Sequence, residues 1–323
     1  MKKILMITAV LIGIPFLMVY YFNYQESNIK EELIKLDYIS FINVRVKRVN
    51  KDRIDNVKLE EYVVGAVAGE MPASFEVEAL KAQAVACRSY VLKKINDNKD
   101  GSYDVVDTTS NQVYLDNDDL KKNWGNNYTN YMNKIRGAVN ATSMEYLEYD
   151  GKVANTMFFS TSNGYTEDCL VVFSSDVPYL RSVDSEWDKN VNSNFNYTKT
   201  FSLKEFYEKL GLKYNSKVNF IILERSKSKR IIRLKINGVE ITGRDIYNKL
   251  GIRSTDFNII QDGDKVIIST KGFGHGVGMS QYGALGMAKE GYNYKEILSH
   301  YYNGTNLKKI KIWCIKISKI VNN

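Results

Sequence analysis

An α+β fold, with mixed helices and antiparallel strands, follows from three observations on a chain of 323 residues. The segment FINVRVKRV (41–49) sets Val44, Val46 and a more distant Val49 against Arg45 and Lys47, the two-residue period of a half-buried strand. The segment 75–95 has a helical period instead. Further on, KRIIRLKINGVEITG (229–243) alternates again between two short helical patterns, SLKEFYEKLG and GRDIYNKLG, as antiparallel strands with helices beside them do. With 44% hydrophobic content, 13 Phe and 23 Tyr, the chain buries a substantial core in one large domain or two coupled ones.

The first 22 residues read differently from the rest. Lys2 and Lys3 precede an apolar run at 4–22 in which Thr8 is the clearly polar side chain, long enough to cross about 30 Å of hydrocarbon. A cleaved signal peptide is the alternative, but small residues should then end the run, and it ends in Tyr20, Tyr21 and Phe22. Such aromatics suit a membrane interface. We therefore expect a cytoplasmic tail at 1–3, an N-terminal transmembrane helix at 4–22, a linker at 23–40 and an ectodomain with an active-site cleft at 41–323. Residues 200–265 form a candidate inserted subdomain in which nothing catalytic stands out, a scaffold or partner surface.

That topology constrains the chemistry. The net charge of +8 points to an anionic environment, yet 45 basic residues are interspersed with 37 acidic ones, and a nucleic-acid role does not suit a domain outside the cytoplasm. Three cysteines (Cys87, Cys169, Cys314) and two histidines (His275, His300) lie far apart, without metal-ligand spacing or a disulfide framework. No metal and no cofactor is expected.

Along the chain, 58–67 reads as a short helix that breaks at Gly69 and Pro72, which leaves Glu70 in a loop. The helix at 75–95 then starts with Ser74 as N-cap. At 100° per residue its Val77, Leu80, Ala84, Cys87, Val91 and Ile95 share an arc about 80° wide. Lys81 and Arg88 project at the edge of that arc, where the surface should be dry. Either both snorkel or pair with buried carboxylates, or the face is the wall of a cleft onto which Glu70 opens.

Two further loops carry polar side chains. MFFSTSNGYTEDC (157–169) leaves a strand and enters Ser160, Thr161, Ser162, Asn163 and Thr166, an ordinary turn or a set of partners for sugar hydroxyls. A strand at 264–270 then runs into KGFGHGVGMSQYGALGMAKEG (271–291). Its glycine spacing matches neither phosphate-loop pattern, so the backbone approaches something closely and presents His275 from the loop and Gln281 from the next helix. His275 is otherwise a turn residue bonded to backbone.

Three blocks together, LEEYVVGAVAGEMPASFEVEALKAQAVACRSY, FFSTSNGYTED and GFGHGVGMSQYGALGMAKEGYNYKEILSHYYNGTNL, resemble the stage II sporulation protein D family of spore-forming Gram-positive bacteria, which is related to amidase-enhancer proteins. The resemblance spans about residues 42–310. It implies a membrane-anchored lytic transglycosylase that cuts peptidoglycan glycan strands during forespore engulfment, in the mother-cell engulfing membrane. The implied partners are the stage II sporulation protein P amidase, which strips stem peptides first, and stage II sporulation protein M. The family's catalytic acid maps onto Glu70 and its helix cations onto Lys81 and Arg88. With Ser160, Ser162, His275, Gln281 and Tyr282, those two cations are the candidate substrate contacts.

Such an enzyme cleaves the β-1,4 bond between N-acetylmuramic acid and N-acetylglucosamine without water, the sugar's own 6-hydroxyl closing a 1,6-anhydro ring. One carboxyl suffices as acid and then base, unlike hydrolases with two spaced carboxylates. Burial among Val67, Met71 and Phe75 would raise the pKa of Glu70, whereas a salt bridge to Arg88 would lower it. Arg88 and Lys81 are thus expected on substrate, or on another acid such as Asp184. The chain departs from the family in three places. Ser110 and Asn111 stand where some clostridial members carry a zinc-binding His-Cys pair, Cys87 replaces Ala, and Asn163 replaces a glycine. A noncatalytic wall-binding activator or scaffold of an N-acetylmuramoyl-L-alanine amidase is the alternative function.

Overall fold

The computed structural model describes residues 42–310, together with Met18, Tyr20 and Tyr21. Apart from those three positions, the tail, anchor and linker expected at 1–3, 4–22 and 23–40 lie outside the described residues, as does 311–323. Among the described residues no helix is long and apolar enough to cross a membrane.

The fold is mixed α+β, and most of its strand pairs are antiparallel. The hairpin β1 (Asn43–Arg48) and β2 (Arg53–Lys58) runs into α1 (Leu59–Glu70) and α2 (Val77–Asp97). β3 (Val105–Val106) then pairs parallel to β1. In β1 the inward positions are Val44, Val46 and Arg48, while the expected third apolar position, Val49, is exposed. Strict alternation puts Arg48 inside, and carboxylates from three segments meet it there. Its guanidinium bonds Asp107 (2.9 Å), Asp116 (2.8 Å), Asp119 (2.6 Å) and Asp55 (3.2 Å).

Helix α2 is the centre of the larger core. From Ala79 to Ser89 every residue except Lys81 is buried, so the helix is enclosed nearly all round, not along one 80° arc. Five small side chains (Ala79, Ala82, Ala84, Ala86 and Ser89) let neighbours approach from several sides. Those neighbours are α1, α4 (Tyr128–Ala141), β4 (Glu145–Tyr149), α9 (Gln281–Lys289) and α10 (Tyr294–Tyr301). The expected start at Ser74 is also corrected. The N-cap is Glu76, and Ser74 lies in a turn closed by a hydrogen bond from Phe75 N to Pro72 O.

Between α2 and α4 lies α3 (Asn117–Trp124), closed by a reciprocal capping box of Asp116 and Asp119. After β4 come β5 (Lys152–Val153), β6 (Phe158–Phe159) and two one-turn helices, α5 (Cys169–Phe173) and α6 (Trp187–Val191). The chain then enters a second core built on β7 (Asn196–Ser202), α7 (Leu203–Leu210), β8 (Phe220–Arg225), β9 (Ile231–Ile236) and β10 (Val239–Thr242). It continues through α8 (Gly243–Leu250), β11 (Phe257–Asp262) and β12 (Lys265–Lys271). Phe201, Phe206, Leu234, Ile246 and Ile268 pack there apart from the α2 core. Both short helices are capped at each end, by the Ser202 and Thr242 hydroxyls and by left-handed Gly211 and Gly251, which is how eight residues hold a helix. β13 (Met279–Ser280) returns parallel to β6, and β14 (Asn306–Lys309) closes the sheet of β4 and β5.

A polar seam joins the two cores. Asn163 Nδ2 donates to Ser228 O and Asp256 Oδ2, both at 2.8 Å, and the Glu167 carboxylate accepts from the Ser226 and Ser228 hydroxyls. The glycine-rich loop completes it. Gly276 has φ +88°, and a Cβ there would lie 2.8 Å from Nε of Arg230, while a Cβ on Gly272 would lie 2.7 Å from Ser162 O, so the loop is glycine-rich because other segments lie against its backbone. Gly276→Ala is expected to cost about 1–3 kcal/mol in urea unfolding, the cost of a side chain in that conformation.

Candidate active site around Glu70

Glu70 is the last residue of α1, not a loop residue, because the helix continues through Gly69 and stops only where Met71 turns extended before Pro72. The glycines of this helix let another chain segment approach. A Cβ on Gly69 would lie 2.4 Å from Val113 O, so the strip 111–115 crosses the end of α1 at backbone contact. The Val113 N–H donates to Glu70 Oε1 at 2.5 Å.

Burial is the larger influence on this carboxyl. It pushes the pKa of Glu70 up to about 7, and the Val113 hydrogen bond opposes it only in part. Val67, Met71 and Phe75, the expected walls, are all buried. Among the described residues no cation forms an ion pair with Glu70. Its charge reaches Tyr90, whose pKa is raised first by burial and also by Glu70. Asn111 Nδ2 donates to the Tyr90 hydroxyl at 3.0 Å, which leaves the phenol proton free to donate elsewhere. Burial thus favours a proton on Glu70 near neutral pH, with the Val113 N–H on Oε1.

From the far end of the sequence, Gln281 Nε2 donates to the backbone carbonyl of Glu70 at 2.9 Å. Gln281 opens α9, whose N-cap Ser280 donates to the buried carboxylate of Asp188. Tyr282 meets Phe75 edge to face at 5.0 Å, and its N–H donates to Ser160 O at 3.1 Å. Glu70, Gln281, Tyr282 and Ser160 are therefore linked. Gln281→Ala should lower stability by about 1 kcal/mol in urea unfolding by removing one buried hydrogen bond.

Four other candidate substrate contacts are engaged elsewhere. Arg88 is fully buried and bidentate on Glu60, Nε to Oε1 at 2.9 Å and Nη2 to Oε2 at 2.6 Å, with Nη1 on Glu145 O at 3.0 Å. It neutralises a different acid, as one alternative required, but that acid is Glu60 and not Asp184. Lys81 pairs with Glu78 at 2.6 Å, one turn back on its own helix, and Glu78 also caps the Tyr294 N–H. Ser162 is buried, donating to Ser185 O at 2.8 Å, while its own N–H donates to Asp188 at 2.7 Å. His275 accepts from Val277 N at 3.0 Å through Nδ1 and stands between Phe159 and Phe173. Burial pushes its pKa down to about 4, with Arg230 and Arg244 adding to the effect, so it is neutral.

Sequence reasoning missed Tyr90, Asn111, Val113 and Asp188. The carboxylate-rich tail of VPYLRSVDSEWD was the available signal for Asp188. Asn111 was marked only by its place in the family's zinc pattern, and Tyr90 and Val113 had no signal, since each acts through a contact across tens of residues.

The family model for the Stage II sporulation protein matches residues 47–149, which include α1, Glu70 and all of α2. Stage II sporulation protein D of Bacillus amyloliquefaciens is 43% identical over 274 residues, covering 83% of this chain and 79% of that protein. The same protein of Bacillus subtilis (strain 168) matches at the same identity and coverage. An amidase enhancer of Bacillus subtilis (strain 168) is 28% identical over 297 residues, covering 75% of this chain and 40% of that protein. With that identity over most of both chains, this protein belongs to the stage II sporulation protein D family.

Proposed function

We propose that the protein is a peptidoglycan lytic transglycosylase in which Glu70 serves first as general acid and then as general base. The observation that carries this reading is a buried carboxyl raised to about 7 with no ion-pair partner among the described residues. Such a group is half protonated near neutrality, where both roles must be filled. Val113 N–H occupies Oε1, so Oε2 is the oxygen left to deliver a proton to the glycosidic oxygen as the bond to C1 breaks. The resulting carboxylate takes the proton of the muramic acid 6-hydroxyl while its oxygen attacks C1. One proton leaves Glu70 and one returns, and no water is consumed.

The substrate in this reading is a glycan strand already stripped of stem peptides, so an amidase acts upstream. The apolar run at 4–22 would hold the enzyme on the membrane, with 41–323 outside the cytoplasm. Incubating the full-length protein with peptide-free glycan strands should yield 1,6-anhydro ends by mass spectrometry, and Glu70→Gln should not. Equal absence of product from both proteins would sink the enzymatic reading. It would favour instead a wall-binding activator of an amidase, which the similarity to the amidase enhancer supports.

A further inference from the structure

The glycine-rich loop presents one large side chain to solvent. Phe273 lies between Gly272 (φ +76°) and Gly274 (φ +108°) and is 45% exposed. Its backbone is pinned, for Phe273 N–H donates to Thr161 O at 2.7 Å and Thr161 N–H to Phe273 O at 3.0 Å. A Cβ on Gly274 would lie 3.0 Å from Phe159 Cβ, so the loop is closely packed on that side too. A single exposed ring means little alone, but this one has a charged neighbour.

That neighbour is Arg253, whose carbonyl accepts from Gly274 N–H at 2.9 Å. Its guanidinium carbon lies 3.7 Å over the Tyr197 ring of β7 and 5.4 Å over the Phe273 ring. Stacking uses the flat face of a guanidinium and leaves the N–H groups around its rim to other partners. Here those partners are missing. Among the described residues the Arg253 side chain forms no hydrogen bond and no ion pair, and its nitrogens, unlike two of those on Arg230, are not sealed from solvent. The acid nearest in sequence, Asp256, is held by Asn163 Nδ2 at 2.8 Å and by Arg225 at 3.5 Å. Arg45, Arg48, Arg88, Arg136 and Arg233 each hold a carboxylate, whereas Arg253 is held by rings alone.

We infer that Arg253 and Phe273 form a subsite for a sugar acid, in which the guanidinium rim takes the carboxylate and the exposed phenyl ring takes the C–H face of the sugar. A carboxylate matches the guanidinium in plane and spacing, and the stacked rings hold that plane before the ligand arrives. Sugar C–H groups suit the negative face of a phenyl ring. The subsite is tied to Glu70 through the loop's own bonds: Thr161 follows Ser160, whose carbonyl accepts Tyr282 N–H, and the adjacent Gln281 donates to the Glu70 carbonyl. In a glycan strand the group with this chemistry is the lactyl carboxylate of muramic acid. It is free only where the stem peptide has been removed, and with the peptide in place it is an uncharged amide. Arg253 is then the residue by which the protein tells a stripped strand from an intact one. The choice of muramic acid rests on the proposed function, whereas the open guanidinium does not.

The test is fluorescence-anisotropy binding of the full-length protein, carrying Glu70→Gln so that cleavage by Glu70 is removed, to three labelled glycan strands. One is peptide-free, one is peptide-free with its lactyl carboxylates converted to methylamides, and one keeps its stem peptides. The peptide-free strand should bind at least about tenfold tighter than either amide form, the loss of one charge-assisted contact. Arg253→Met, which keeps an apolar stem on Tyr197, should bind all three alike with an unchanged urea midpoint. Arg253→Lys keeps the charge without the planar fork and should show a reduced preference. Equal binding of the acid and methylamide strands, a full preference in either variant, or intact strands bound as tightly as stripped ones, which puts the carboxylate on the peptide, each overturns the inference. The 1,6-anhydro ends made by wild type are read separately. Ends formed without an acid preference sink this inference alone, and an acid preference lost in Arg253→Met without such ends sinks the transglycosylase reading alone.

Discussion

Glu70→Gln should lower glycan-strand cleavage by about a thousandfold or more, because the proposed mechanism gives both proton transfers to one group and each is typically worth 10²–10⁴. The amide keeps the shape of the side chain and can still accept from Val113 N–H, so lost activity would not reflect lost structure. The wild-type rate should fall as pH rises above about 7, where the acid form is depleted. Stability should carry the same signature. The folded pKa lies above the ordinary carboxylate value, so the folded protein binds this proton more tightly than the unfolded chain does. Stability therefore falls as pH rises from about 4.5 toward 7, by roughly 2–3 kcal/mol, and stays lower above that. Glu70→Gln should lack this loss, so urea unfolding at pH 5 and pH 8 should show the variant gaining on the wild type at the higher pH.

Arg88→Ala is expected to destabilise the protein by about 3–5 kcal/mol in urea unfolding, as removal of one partner from a buried ion pair does. The guanidinium is fully buried, and without it Glu60 faces the core as an uncompensated carboxylate. Arg88→Lys should recover only part of this, since an ammonium cannot bond both carboxylate oxygens and the Glu145 carbonyl in one plane. The double change Arg88→Met with Glu60→Met should cost less than Arg88→Ala, because it removes the stranded charge. A substrate-binding arginine would behave otherwise, with a raised KM and unchanged urea midpoint in Arg88→Ala.

Local pattern was legible where it depends on neighbours in sequence. The strand at 43–48 and the helices at 203–210 and 243–250 lie where hydrophobic period puts them, and the long helix at 77–97 overlaps the expected 75–95, although Ser74 does not cap it. Position along the chain was legible too for Gln281, which does open a helix. What a charged side chain meets was not legible, because that depends on which segments tertiary packing brings together. Arg88 finds Glu60 across 28 residues and Gln281 finds Glu70 across 211, distances at which periodicity is silent. The same limit applies to the serine-rich loop. Its hydroxyls resemble a sugar site in composition, yet Ser162 is spent on Ser185 and Asp188 inside the protein.

The buried Arg48 cluster has a consequence for the proton on Glu70. Its guanidinium holds Asp107 on one side of the strip 111–115 and Asp116 and Asp119 on the other. Val113, which donates to Glu70, lies on the span between those anchors. The Val113 amide should thus resist hydrogen exchange far more than an ordinary loop amide, opening only when the ionic clasp at both ends lets go together. Salt that screens the less buried of the aspartates would then release the Val113–Glu70 hydrogen bond without touching Glu70. The acidity of Glu70 is in that sense governed at a distance, by an arginine on strand β1 that never meets it.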